Sequence, residues 1–138
     1  MSEIENINPI EAAEILKSDS TAKLIDVRSR VEYEFVGHPV DAIHIAWKEF
    51  PAWAENEHFC SEVDEALGAI DDGTGKNRTL LMLCRSGARS LAAGEKLKAW
   101  GYENVKNVAE GFEGDKDDQQ HRGNINGWRY RGLPWEQT

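Results

Sequence analysis

The feature that most constrains this chain is the run Thr79-Leu80-Leu81-Met82-Leu83, followed without a gap by Cys84 and the loop Arg85-Ser86-Gly87-Ala88. A strand with one wet face alternates apolar and polar residues, whereas a continuous apolar run belongs to a strand covered on both faces, as at the centre of a parallel sheet. From Ala88 the pattern turns helical: Ala93, Leu97 and Trp100 recur at i, i+4 and i+7, and Gly101 stands where a C-capping glycine belongs. Strand, tight loop and helix joined in this way predict an α/β layer fold. Cys84 then falls beyond the carboxyl end of the strand, where open α/β sheets bind ligands.

The rest of the chain repeats the alternation. Asn8-Pro9-Ile10-Glu11 has the form of a capped helix start, and Ala12, Ile15 and Leu16 give that helix one apolar face. Lys23 to Val27 predicts a short buried strand with Asp26 and Arg28 at its carboxyl edge. Ser29 and Glu32 suggest a capping box over a short helix through Phe35, broken by Gly37-His38-Pro39. Ala42 to Ala46 predicts a further strand. Ser61 precedes Val63, Ala66, Leu67 and Ile70, a helical stripe. Asp71-Asp72-Gly73-Thr74-Gly75 reads as a solvated turn, since it lacks the spaced ligands of a calcium loop. Val105 to Val108 closes the alternation as a last strand, giving a mostly parallel central sheet flanked by helices on both faces. No internal repeat interrupts it.

With 138 residues the chain fits one domain, read as residues 1–113 with a C-terminal extension, 114–138, whose Trp128, Tyr130, Leu133 and Trp135 are expected to pack back onto it. The net charge of −9 argues against nucleic acid or an anionic membrane as partner. The one dense basic signal is Arg85 and Arg89 beside a cysteine, which suits a small anion. Cys60 and Cys84 are too few for a disulfide framework and lack metal-ligand spacing, so a reducing compartment and no metal site are expected. The amino terminus has no signal-like charge and apolar run, which leaves cytoplasmic residence as the expectation. Asp115, Asp117 and Asp118 read as a solvated acidic loop.

The loop from Cys84 to Arg89 can turn successive backbone N–H groups inward, and the following helix adds its positive end. The first anion such a nest stabilises is the thiolate: helix N-termini with cationic neighbours lower a cysteine from ~8.5 to roughly 3.5–7.5. Cys84 is therefore expected to be a reactive nucleophile.

These residues resemble the rhodanese family, whose active-site loop begins with a nucleophilic cysteine and commonly reads Cys-Arg-x-Gly-x-[Thr/Ser/Arg]. The likeness continues in Asp26-Val27-Arg28, Glu32, Gly37-His38 with Ala42, and Gly101-Tyr102 through Glu110-Gly111, and so spans most of residues 5–113. This chain departs from the frequent Ile-Pro-Gly-Ala with Pro39-Val40-Asp41-Ala42, and has His44 where asparagine is frequent. The resemblance implies a rhodanese-like fold and a persulfide relay that needs no metal or organic cofactor. Cys84 takes the outer sulfur of a small anionic donor such as thiosulfate, and a thiol, cyanide or protein acceptor removes it. Arg85 and Arg89 would hold the donor's sulfonate end, with Ser86, Gly87 and Ala88 completing the loop. Asp26, Arg28, Glu32 and Ser90 are supporting residues, Arg28 and Glu32 as an ion pair bracing the loop.

Two rivals are open at this stage. One is a cysteine phosphatase or arsenate reductase on the same fold; phosphatases place one residue more between cysteine and arginine than the four, Arg85 to Ala88, found here. The other is a non-enzymatic module that stores persulfide or binds proteins. His38, His44 and Cys60 are read as structural.

Overall fold

The computed structural model describes residues 4–68 and 75–137. Its elements are β1 (Glu5–Ile7), α1 (Pro9–Ser18), β2 (Lys23–Asp26), a π-helical turn (Glu32–Val36), β3 (His38–Pro39), β4 (Ile43–His44), β5 (Lys48–Glu49), β6 (Ala54–Glu55), α2 (Phe59–Leu67), β7 (Thr79–Leu83), α3 (Ala88–Trp100), β8 (Asn104–Val108) and β9 (Trp135–Glu136). A five-stranded sheet runs in the order β1-β8-β7-β2-β4, every pairing parallel. The α/β expectation holds.

The unbroken apolar run of β7 is explained by what covers it. Leu80 and Met82 enter one core with Ile25, Val27, Val63 and Leu97, beneath α2 and α3. Leu81 and Leu83 enter the other with Ile7, Leu24, Val108 and Ala12 of α1. Each such side chain, fully buried, contributes roughly 1.5–3 kcal/mol, so β7 ties the two layers together. α1 starts as its sequence requires: the Asn8 and Glu11 side chains each accept the other's backbone N–H, at 2.8 and 2.9 Å respectively. At the other end of the chain, Trp128 is buried in the α1-side core with Phe112, while β9 pairs antiparallel with β3. The Trp135 ring meets Phe112 edge-on, at 5.9 Å between centroids.

Several local expectations change. α2 begins two residues before Ser61, because Phe59 and Cys60 are buried with Val63 and Leu67; Ala66 is exposed. Ile70 and the turn residues Asp71, Asp72, Gly73 and Thr74 lie outside the described residues. Trp100 is not a core residue: its ring is about half exposed and its Nε1 donates to Asp64 at 2.8 Å, clasping α3 to α2. The strand expected over 42–46 is only Ile43–His44 by ladder, although the Ile45 and Trp47 amides still donate to the Asp26 and Val27 carbonyls. Ser29 and Glu32 do not form a capping box on an α-helix. The Glu32 carboxylate accepts both the Ser29 N–H and hydroxyl, and the turn that follows is a π-turn ended by Gly37 at φ 112°. Among the described residues no helix is long and apolar enough to cross a membrane.

Candidate active site

β7 ends at Leu83, and Cys84 is its first residue beyond the ladder, 1 % exposed, at the base of a pocket of about 470 Å³. The chain leaves the strand, turns at Gly87 and enters α3. Gly87 has φ 109°, a conformation side chains rarely adopt, and a Cβ there would run into the Ala109 carbonyl. That turn aims the Gly87 N–H at the Cys84 sulfur, 3.1 Å away. The loop's carbonyls face elsewhere: Phe112 N–H donates to Cys84 O at 2.8 Å, and Glu113 and Gly114 donate to Arg85 O at 3.0 and 3.2 Å. The amides of Arg85 and Ser86 meet no acceptor among the described residues. The first turn of α3 leaves its own leading N–H groups outside the helix ladder. With the Gly87 N–H on the sulfur and these amides unbonded, the loop is a donor-rich segment able to hold an anion.

Beneath the sulfur lies a buried polar network. The Ser90 hydroxyl sits 3.3 Å from Cys84 Sγ and 2.6 Å from Asn107 Oδ1. The Asn107 amide donates to the Gly87 carbonyl at 3.1 Å and to Asn6 Oδ1 at 3.0 Å. Ser90, expected from the sequence as a supporting residue, thus lies between Cys84 and Asn107. Asn107 was missed in the sequence, although a lone amide between Val105 and Val108, on the core-facing register of β8, was a usable signal.

The bracing ion pairs are partnered differently from the expectation. Glu32 does not pair with Arg28; it takes Arg89 in a two-pronged bond, 2.8 Å on each oxygen. Burial by itself would raise the Glu32 carboxyl, but the bonds from Arg89 and Ser29 outweigh it and hold it at about 2. Burial would likewise lower the Arg89 guanidinium; Glu32 reverses that and raises it. Arg28 pairs instead with Asp26, both fully buried, at 2.6 Å, and also donates to the Gly37 carbonyl at 2.6 Å. Its Nη1 has no hydrogen-bond partner among the described residues, and the guanidinium carbon lies 4.5 Å from the centre of the Phe112 ring, whose face takes up the charge. The buried Asp26–Arg28 pair therefore ties the carboxyl edge of β2 to Gly37 and Phe112.

The two arginines flanking Cys84 consequently differ. Arg89 lines the pocket but its charge is matched by Glu32, whereas exposed Arg85 has no side-chain hydrogen bond or ion pair among the described residues. Ser86 and Ala88 line the pocket too, and so do two residues the sequence did not single out, Lys48 and Trp53. His38 and His44 stand apart from it, stacked on either side of Tyr33 with centroid distances of 3.8 and 4.4 Å. Cys60 lies in the α2-side core, where burial pushes its thiol up. No group of acidic, histidine or cysteine side chains among the described residues is arranged to hold a metal ion.

A single hydrogen-bonding nucleophile in a donor-rich loop is suited to covalent transfer of a group that carries negative charge. The family described as Rhodanese-like domain matches residues 8–118. An uncharacterized RP600 homolog of Rickettsia rickettsii is 35% identical over 136 residues, covering 96% of this chain and 98% of that one. The crystal structure of Rv0390 from M. tuberculosis superposes with a TM-score of 0.85 at 35% identity, covering 99% of this chain and 100% of that one. A shorter match, 40% identity over 58 residues, joins 42% of this chain to 38% of thiosulfate sulfurtransferase 18 of Arabidopsis thaliana.

Proposed function

For a chain that belongs to the rhodanese-like family, we propose sulfur transfer through a persulfide on Cys84, from thiosulfate or a related anionic donor to a thiophilic acceptor. The observation that carries this reading is the Gly87 N–H held 3.1 Å from Cys84 Sγ at the base of the pocket. In the first step the Cys84 thiolate attacks the outer sulfur of the donor. The donor's S–S bond breaks, sulfite leaves with the bonding pair, and a Cys84 persulfide anion remains. In the second step a thiolate or cyanide attacks the terminal sulfur and Cys84 leaves as thiolate. Charge resides on sulfur throughout, so inward N–H groups stabilise every stage and no general base is required once the thiolate exists. The partial likeness to a plant thiosulfate sulfurtransferase supports the choice of donor.

The phosphatase alternative is disfavoured by Arg89. Its guanidinium is committed to Glu32 by two bonds rather than open to a tetrahedral phosphoryl group, and the loop is short. The test is intact-protein mass after thiosulfate treatment, with sulfite release followed in parallel. The wild type should gain one sulfur, ~32 Da, as covalent catalysis requires, and Cys84→Ser should gain none. Absence of the adduct on a folded protein with a free Cys84 thiol refutes thiosulfate as donor.

A further inference from the structure

Resting on the sulfurtransferase reading, we infer that Trp53 determines donor specificity and that Lys48 holds the donor's anionic head. Trp53 favours a sulfane-sulfur donor whose anionic head is attached to a flat apolar body, an aryl thiosulfonate in the simplest case, over inorganic thiosulfate.

The hairpin that carries them is built from β5 and β6, where Lys48 pairs with Glu55 and Glu49 with Ala54. It stands opposite the Cys84 loop, so one wall of the pocket is cysteine loop and the other is Lys48 and Trp53. Trp53 has φ 58°, a left-handed conformation that bulky residues rarely adopt and that persists only where the surroundings enforce it. Its N–H donates to the Glu49 carbonyl at 2.7 Å, and the Phe50 ring packs edge-on against it with centroids 5.9 Å apart. The Arg89 guanidinium carbon lies 5.5 Å from the indole centre. The indole is therefore held in place rather than loose on the surface, yet it keeps 43 % of its area exposed. A large aromatic face is being maintained toward the open pocket.

Charge follows the same division. With Arg89 matched by Glu32, the cations that line the pocket without a hydrogen-bond or ion-pair partner among the described residues are Arg85 on one wall and Lys48 on the other. An anionic head between them meets two positive charges over the Cys84 sulfur. The space is larger than an inorganic donor needs. Against ~30 Å³ for one water, five non-hydrogen atoms occupy on the order of 100 Å³, while the pocket holds about 470 Å³. The remainder is bounded by Trp53. An aryl thiosulfonate uses both: the thiolate attacks the outer sulfur, the S–S bond breaks, an aryl sulfinate leaves with the bonding pair, and the ring lies along the indole.

The experiment compares kcat/KM for benzenethiosulfonate and thiosulfate, with cyanide as common acceptor, in the wild type, Trp53→Ala, Trp53→Phe and Lys48→Met. The ratio of the two values is independent of how much of each variant is active. Trp53→Ala should lower the benzenethiosulfonate-to-thiosulfate ratio about tenfold, the loss expected for one aromatic contact, with Trp53→Phe retaining most of it. Lys48→Met should raise KM by about tenfold for the doubly charged thiosulfate and by less for the singly charged benzenethiosulfonate, shifting the ratio opposite to Trp53→Ala, as removal of one half-screened charge predicts. In the wild type alone, benzenesulfonate should inhibit with a Ki about tenfold below that of methanesulfonate. Equal inhibition by the two sulfonates, or a ratio unmoved in Trp53→Ala while thiosulfate still turns over, overturns the specificity assignment alone. Failure of both donors to charge Cys84 removes the sulfurtransferase reading and the assignment with it.

Discussion

Glu32→Gln isolates the brace that holds the Cys84 loop from the π-turn side. In the wild type the Glu32 carboxylate receives both Arg89 nitrogens at 2.8 Å and the Ser29 hydroxyl at 2.8 Å, with the two ion-pair side chains only 14% and 18% exposed. The carboxyl is lowered from 4.5 to about 2. At ~1.4 kcal/mol per unit that displacement is worth about 3 kcal/mol as a ceiling, and partial solvent access reduces it to roughly 2–3 kcal/mol. The sign follows from linkage. The folded carboxyl is the stronger acid, so its contribution is complete above 4.5 and disappears as the pH falls through about 2. Glutamine keeps the shape and the Ser29 contact but cannot follow this titration. Urea unfolding of wild type and Glu32→Gln at pH 7, 5 and 3 measures it, the variant being less stable by about 2–3 kcal/mol at pH 7 and by about 1 kcal/mol at pH 3. A difference that stays constant between pH 7 and pH 3 refutes the argument that the ion pair carries this stability.

Two further substitutions probe how the loop is supported. Gly111 has φ 70°, and a Cβ there would meet the Arg85 carbonyl and come within 2.6 Å of the Ser86 nitrogen. Gly111→Ala should therefore displace the backbone that aims donors at Cys84, costing about 2–4 kcal/mol in stability by strain and overpacking and more than tenfold in persulfide formation rate, read by quenched mass spectrometry; wild-type rates would count against the loop-support role. Trp128, 3 % exposed in the α1-side core, should cost about 3–5 kcal/mol when replaced by alanine, and a melting temperature within a few degrees of wild type would show that the carboxyl-terminal segment is dispensable to the core.

Local chemistry in the sequence was enough to place the parallel sheet, the first helix and the loop that begins at Cys84. β7 had to be covered on both faces because its residues are apolar without alternation, and the Asn8–Glu11 box closes within one turn, so neither depends on distant partners. Cys84 was legible for the same reason: strand, cysteine, glycine turn and helix are contiguous. Short pairings such as β1, β3 with β9, and β5 with β6 carry two or three residues each and no periodicity, so they formed no readable pattern. Which charge meets which was decided only by the tertiary structure. Glu32 and Arg89 are 57 positions apart and meet because the π-turn packs on the first turn of α3, leaving Asp26 as the partner of Arg28. Asn107 and Ser90 join beneath the sulfur because β8 lies beside β7 in the sheet. Lys48 and Trp53 reach the pocket because a short hairpin folds across from the cysteine loop. Propensity, capping and hydrophobic pattern act over a few residues of chain, whereas ion pairing and pocket walls depend on which segments the packed sheet and helices bring within a few ångströms.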